Sequence, residues 1–240
     1  MIVFAALIPN SPLLVKRSGK TAEKSITAIA EIERMLEDAR PDTLLIISQE
    51  AKHFSTAFAL LYAEKFSESL KRLGFISKHL SYPADIELLA KLHTFSRHEH
   101  IPLRSVHSEL LDKGTGLALR MLKAQKKTHS ILTIGTTDLP IDIHFEFGHQ
   151  IKELLHSCDR RIGVIITGDA ADETVARGVI ASLGNRSIPA LVHATHGDET
   201  LCRPLAIGYG LLHNFPLETR ILCDEIFSGH NLISAVLFSD

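Results

Sequence analysis

The sequence predicts an α/β fold, a single domain in which a central, mostly buried mixed β-sheet carries helices on both faces. Apolar runs of strand length alternate with amphipathic stretches of helix length, a pattern typical of α/β domains. The runs Ile2–Ile8 and Ile162–Thr167 are apolar without alternation, which indicates strands buried on both faces. The length of 240 residues, without a linker or internal repeat, favours one domain over residues 1–240.

The remaining elements follow from the same periodicities. Further strands are predicted at Thr43–Ser48, Thr56–Ala63, Ser130–Gly135 and Leu232–Phe238. A helix over residues 21–39 places apolar side chains on one stripe, and it ends before Pro41 because the residue preceding a proline is pushed out of the α region. Other helices are predicted at 83–97, 115–125, 145–157, 172–183 and 199–212.

Composition excludes several classes of function. The formal net charge of -2 provides no basic surface for nucleic acid or for an anionic membrane. No apolar run approaches the ~18 residues that span a bilayer, and the opening run Met1–Ile8 lacks the basic segment of a signal peptide. The cysteines are few and widely spaced, which suits a reducing compartment. We therefore expect a cytoplasmic protein.

Polar side chains follow several of the predicted strands. In open α/β sheets, functional side chains collect in the loops at the carboxyl ends of strands. Those that such loops would bring to one sheet edge are Asn10, Glu50, Asp112, Lys113, Asp169, Asp172 and Glu199. They form a group of carboxylates around one lysine. Ordinary structural roles also explain some of them, because Pro9–Pro12 reads as a turn and Asp172 as a helix N-cap.

Five segments resemble, in order, the motifs of the class III (LigB-type) extradiol dioxygenases and of the related Memo proteins. They are Ile8–Leu14, Pro41–Glu50, Asp112-Lys113-Gly114-Thr115, Arg160–Asp172 and Glu199–Leu205. Enzymes of this family cleave aromatic diols with Fe(II) held by two histidines and a carboxylate. The resemblance implies a LigB-type domain over the whole chain, with the metal-ligand positions at Asn10, Glu50 and Glu199.

The chain departs from the family at the residues that carry out its chemistry. Asn10 and Glu50 stand where both histidine ligands belong, Lys113 and Asp172 stand at two further active-site histidines, and only Glu199 is retained. A facial triad binds Fe(II) through neutral imidazoles, which this chain lacks at these positions. Fe(II) is implied by the family resemblance alone, and we expect no cofactor. By the same resemblance, the catalytic positions are Lys113 and Asp172, and the substrate-binding positions are Asn10, Glu50, Asp112, Thr115, Asp169 and Arg203.

Three functions stay open. The first is a non-catalytic binding or subunit-type protein, whose partner is an unknown small molecule or protein. The second is an enzyme with a remodelled carboxylate and lysine site, a hydrolase or lyase that uses Mg²⁺ or Mn²⁺ if it uses a metal. The third is residual metal-dependent dioxygenase chemistry or a relocated metal at His193, His196 and Glu199. Gly197 and a rotation of about 600° between the first and last of these positions argue against a shared helical face.

Two features of the site geometry are predicted: a shared cleft and an ion pair within it. Asn10, Glu50, Lys113, Asp172 and Glu199 should converge on one cleft. Within it, the Lys113 ammonium should bond to Glu50 or Glu199 and replace the charge of the lost metal, because facing carboxylates without a cation are unfavourable.

Association with a second copy of the chain is also expected. The C-terminal run Asn231–Phe238 is apolar almost to the end of the sequence, so another surface must cover it. Soluble homo-oligomers are common and usually two-fold symmetric, which makes a homo-oligomer the simplest expectation.

Overall fold

The computed structural model describes residues 1–15, 22–68, 70, 73, 80–124, 129–194, 199–216 and 218–240, excluding the side chain of Ala194. The strands are β1 (Ile2–Ile8), β2 (Thr43–Ser48), β3 (Phe58–Tyr62), β4 (Lys65–Ser67), β5 (Ser81–Pro83), β6 (Leu103–His107), β7 (Ser130–Gly135), β8 (Ile162–Thr167), β9 (Arg220–Phe227) and β10 (His230–Ser239). The helices are α1 (Glu23–Ala39), α2 (Ile86–His98), α3 (Lys113–Met121), α4 (Ile141–Ser157), α5 (Glu173–Leu183), α6 (Ile188–Ala194) and α7 (Cys202–Leu211).

The strands form a central eight-stranded mixed sheet in the order β6-β3-β7-β2-β8-β1-β10-β9, and β4 pairs with β5 in a small separate ladder. The four strands β7, β2, β8 and β1 run parallel. On either side, β3 runs antiparallel to β7, and β10 runs antiparallel to β1. The prediction of a single α/β domain with a mixed central sheet is therefore confirmed.

The central strands are buried on both faces, as their unalternating sequences predicted. Every residue of β1, β2 and β8 is buried. A Cβ added at Gly163 of β8 would lie 3.1 Å from Leu36 of α1. A Cβ added at Gly208 of α7 would collide with the Ile166 side chain of β8. Ile166 is three residues after Gly163 in the same strand, so its side chain points to the opposite face of the sheet. Helices therefore cover both faces. Among the described helices, none is long and apolar enough to cross a membrane.

The C-terminal strand corrects one prediction. The apolar run from Asn231 onward is β10, which lies between β1 and β9, and Leu232–Leu237 are buried by the chain itself. No second copy is needed to cover it, so this reason for expecting association was wrong. The strand also begins at His230, before the predicted Leu232.

The parallel strands end in register at one edge of the sheet. Thr167 at the end of β8 pairs with Ile8 of β1 and with Ser48 of β2, and Ser48 pairs with Gly135 of β7. The loops that follow these strands therefore leave the sheet side by side. They carry Asn10, Glu50, Asp169 and Asp172, whereas Asp112 and Lys113 follow β6, which runs in the opposite direction.

Candidate functional site

Lys113, Glu50 and Asn10 form the centre of the candidate site. The Lys113 Nζ lies 2.7 Å from Glu50 Oε1, and Asn10 Nδ2 donates to the same oxygen at 2.8 Å. The Lys113 side chain is 40% exposed and that of Glu50 29%, whereas Asn10 is buried. The predicted ion pair between Lys113 and Glu50 is confirmed.

The segment that carries Lys113 is held by a helix cap. Asp112 is the N-cap of α3, and its carboxylate accepts hydrogen bonds from the Thr115 backbone N–H at 2.9 Å and from Ser48 Oγ at 2.7 Å. A Cβ at Gly114 would lie 2.5 Å from Ser48 Oγ and 3.1 Å from Asn10 Nδ2, so glycine permits this approach. Thr115 is fully buried, and its hydroxyl donates to Asp112. Asp112 and Thr115 thus hold Lys113 against Glu50.

Asp169 joins this group from the loop after β8. Its Oδ1 accepts the Asn10 backbone N–H at 2.6 Å, and its own N–H donates to Gln49 Oε1 at 3.1 Å. Burial raises the pKa of the Asp169 carboxyl, although the Asn10 N–H and the charges of His230 and Lys113 oppose the shift. Asn10 therefore connects two carboxylates, Glu50 through its side chain and Asp169 through its backbone.

His230 is a neighbour of this group that the motif analysis missed. Its Nδ1 lies 3.9 Å from Asp169 Oδ2, and its side chain is 47% exposed. It follows the turn between β9 and β10, where Ser228 and Gly229 have φ values of 50° and 79°, as in a two-residue hairpin turn. Asn231 fixes the hairpin to the site by donating to the Ala170 carbonyl at 3.4 Å. A Ser-Gly pair between two apolar runs is the sequence signal that points to this hairpin.

Glu199 has a cation of its own. Its Oε2 accepts from Arg203 Nη2 at 2.9 Å and from Arg203 Nε at 3.2 Å. Arg203 also donates to Asp138 at 3.1 Å, and both oxygens of Asp138 accept from Lys52 at 2.7 Å. Among the described residues, Glu199 therefore belongs to an alternating chain of charges separate from the contacts of Lys113.

Asp172 acts as the N-cap of α5. Its Oδ1 accepts the Val175 N–H at 2.9 Å, and the residue is exposed. Within the described part of the chain, no hydrogen bond or ion pair joins Asp172 or Glu199 to Asn10, Glu50 or Lys113. The structure thus joins Asn10, Glu50, Lys113 and Asp169 in one connected cluster, adds His230, and leaves Asp172 and Glu199 in other contacts.

The alternative histidine set is only partly described. His193 lies in the last turn of α6, which ends at Ala194, and Glu199 precedes α7. The predicted ligand His196 lies outside the described residues. Over the described ranges, no group of three or more histidine, cysteine, aspartate or glutamate side chains is arranged to hold a metal ion.

Comparison with known proteins relates this fold and motif order to a family. The crystal structure of an uncharacterized protein, JW3007 from Escherichia coli K12, superposes with a TM-score of 0.73 at 15% identity, covering 99% of this chain and 100% of that one. Protein CA_C1420 from Clostridium acetobutylicum is 22% identical over 176 residues, which is 68% of this chain and 38% of that protein. The chain thus matches well under half the length of this relative. The family model for the catalytic LigB subunit of aromatic ring-opening dioxygenase matches residues 5–173, more than half of the chain. The chain therefore belongs to the LigB family of aromatic ring-opening dioxygenases.

Proposed function

We propose that this LigB-family chain does not use iron and that the cluster of Asn10, Glu50, Lys113 and Asp169 serves as a metal-independent binding site, at a cleft, for a small polar molecule. In this role the chain is a binding or subunit-type protein and not a ring-cleaving enzyme. The observation that carries the proposal is the Lys113 ammonium 2.7 Å from Glu50 Oε1, at one of the family's metal-ligand positions.

The donor set does not fit Fe(II). The family positions hold Asn10, Glu50 and Glu199. Asn10 turns its side-chain N–H toward Glu50, and its Oδ1 is buried with no hydrogen-bond partner among the described residues. Glu50 forms an ion pair with the Lys113 ammonium, and the positive charge of that ammonium would repel a divalent cation. Glu199 is bound by Arg203. Both carboxylates are already neutralised from within the chain, and no imidazole is present at these three positions.

The same residues suit a polar ligand with an acceptor oxygen. A lysine ammonium has three donors, and Glu50 takes one of those on Lys113. The remaining donors belong to a side chain that is 40% exposed, so a ligand can reach them. Asp112 and Thr115 fix the start of α3 beneath Lys113, which reduces the conformational entropy lost on binding.

An enzyme with a remodelled carboxylate and lysine site is the second candidate function. The observation that favours it is Asp169, whose pKa is raised by burial and which interacts with Lys113 and His230. A titratable group with a shifted pKa among accessible charged neighbours is a common feature of active sites. A hydrolase or lyase would fit this cluster. The Lys113 ammonium beside Glu50 would repel Mg²⁺ or Mn²⁺ as it would Fe(II).

Metal binding tests the proposal. The purified protein would be loaded with Fe(II) without oxygen, passed over a desalting column and measured for iron, and then assayed for oxygen uptake with catechols. We expect far less than one iron per chain and no uptake above the blank. The variant Asn10→His/Glu50→His/Lys113→His restores the imidazoles and serves as the comparison, for which we expect more bound iron. Stoichiometric iron with catechol-dependent oxygen uptake in the wild type would refute the proposal.

A further inference from the structure

We propose that His230 and Asp169 form a proton-transfer pair in this cleft and, together with Lys113, exchange protons at the carbon next to the carbonyl group of a small oxo compound. The inference rests on the proposed metal-independent cleft. It goes beyond that proposal because binding alone requires no proton transfer.

The first argument is the geometry of the pair. Asp169 Oδ1 is occupied by the Asn10 N–H, and Oδ2 faces His230 Nδ1 at 3.9 Å. This distance is longer than a hydrogen bond, and catalytic hydrogen bonds are often long before substrate binds. An Nδ1–H directed at Asp169 leaves the lone pair on Nε2, so the imidazole acts as a base.

The second argument is accessibility. The His230 side chain is 47% exposed and that of Asp169 only 18%, so a solute meets the imidazole first and the carboxylate supports it from behind. Asp169 also stabilises the imidazolium that forms when the base takes a proton. Asp169 bonds to Asn10, Asn10 bonds to Glu50, and Glu50 pairs with Lys113, so the histidine, the carboxylate and the cation belong to one connected cluster.

The third argument is that the acid/base position known from the family is already used. Asp172 stands there and caps α5 through the Val175 N–H. His230 comes from the β9–β10 hairpin, beyond the residues 5–173 that match the family model. An imidazole therefore reaches the cluster from a different element.

The reaction needs no other reagent. The C–H bond next to the carbonyl breaks, its proton moves to His230 Nε2, and the electron pair moves onto the carbonyl oxygen. That oxygen accepts a hydrogen bond from a free donor of the Lys113 ammonium, which stabilises the developing negative charge. Return of a proton from the imidazolium to carbon regenerates the carbonyl compound and the neutral base.

Solvent exchange measures this step without a known substrate. The full chain, with its metal content determined, would be incubated in D₂O with pyruvate or hydroxyacetone, and proton NMR would follow loss of the signal beside the carbonyl. We expect exchange above the buffer blank with at least one probe. His230→Asn and Lys113→Met should each slow it by about 100-fold. Asp169→Asn should slow it, because the imidazole loses the carboxylate that stabilises the imidazolium.

Two comparisons separate catalysis from structure. His98→Asn removes a histidine on α2 whose side chain is 84% exposed, and it should leave exchange unchanged. Added imidazole should restore exchange to His230→Ala, a rescue that a merely structural role would not give. Absence of enzyme-dependent exchange in iron-free wild type, or equal rates in wild type and His230→Asn, would overturn this inference alone. Iron-bound wild type whose exchange requires the iron would overturn both proposals.

Discussion

Lys113 places a positive charge beside Glu50, a residue that the family resemblance assigns to a metal-ligand position. A divalent cation binds several ligands at once, whereas an ammonium makes a few directional bonds and stays attached to its helix. In this chain the ammonium bonds to Glu50, and Arg203 bonds separately to Glu199. Under the proposed function, these two residues provide, in two places, the positive charge of the metal ion that the family resemblance implies.

The contribution of the Lys113–Glu50 pair to stability should be small and measurable. We expect Lys113→Met to lower the free energy of unfolding by roughly 1 kcal/mol, since the pair is partly exposed and solvent screens it. Lys91→Met is the matched control, because Lys91 pairs with Glu87 at the same 2.7 Å on an open helix surface. Lys91→Met should lower the free energy of unfolding by less than Lys113→Met does, because solvent screens this pair more strongly and Glu87 keeps Arg160 as a partner. Urea unfolding at neutral pH measures both, and equal losses would contradict the difference in burial.

The residues predicted from sequence were those whose contacts depend on local motifs. The Lys113–Glu50 contact was predicted from the order of the motifs, although β6, the strand before Lys113, runs antiparallel to β2, the strand before Glu50. His230 was not predicted, because its approach to Asp169 depends on the register of a hairpin that pairs with β1 from the far end of the chain. Glu199 was the alternative partner predicted for Lys113, and it is bound by Arg203, one helical turn further on.

At the scale of elements, the strongly apolar strands were predicted and the irregular ones were not. β9 is exposed at the edge of the sheet and has a register shift opposite Ser234 and Ala235, which breaks its alternation. α6 has only seven residues, too few to show a helical period. Its start is marked by Ser187, whose Oγ accepts the Ala190 N–H at 3.2 Å. The formation of both elements depends mainly on tertiary contacts, which the hydrophobic periodicity of the sequence does not reveal.

The start of α4 is fixed by a buried histidine. His144 accepts the Thr137 N–H at Nε2, at 3.3 Å, and its Nδ1 contacts the Pro140 carbonyl at 2.9 Å, so both ring nitrogens are used by the neutral form. Burial lowers the pKa of His144 below its ordinary value, and the charge of Arg203 acts in the same direction. Protonation would remove the acceptor for Thr137 and place a charge in the core.

This histidine should make the domain less stable in mild acid. Because the folded pKa lies below that of the unfolded chain, stability is retained above about pH 6.5 and falls as the pH drops below it, by at most about 1.4 kcal/mol per pH unit. His144→Gln should be less stable at pH 7.5, and the gap to wild type should narrow by pH 5. His98→Gln, an exposed histidine, controls for general effects. Urea unfolding across this range checks the prediction, and a constant gap would contradict it.

At the scale of the whole molecule, close backbone packing fixes the position of α7. A Cβ at Gly208 would collide with Ile166 in the sheet, and a Cβ at Gly210 would collide with the Phe145 carbonyl in α4. These glycines therefore let α7 lie directly against both layers. Arg203 is in the first turn of the same helix, so this packing also sets where Glu199 and Asp138 are held.

We predict that adding one methyl group to this contact destabilises the entire domain. Gly210→Ala meets backbone atoms that cannot rotate away, and we expect a loss of about 3 kcal/mol or more in the free energy of unfolding. Gly184→Ala is the matched control, because a Cβ there meets nothing within 4 Å and the residue is right-handed, with φ of -63° at the end of α5. The free energy of unfolding of Gly184→Ala should rise by about 0.5 kcal/mol, since alanine lowers the conformational entropy of the unfolded chain. Urea unfolding followed by circular dichroism reports both changes. A Gly210→Ala protein as stable as wild type would show that α4 and α7 can separate without cost, which is incompatible with the close packing that holds Arg203 in place.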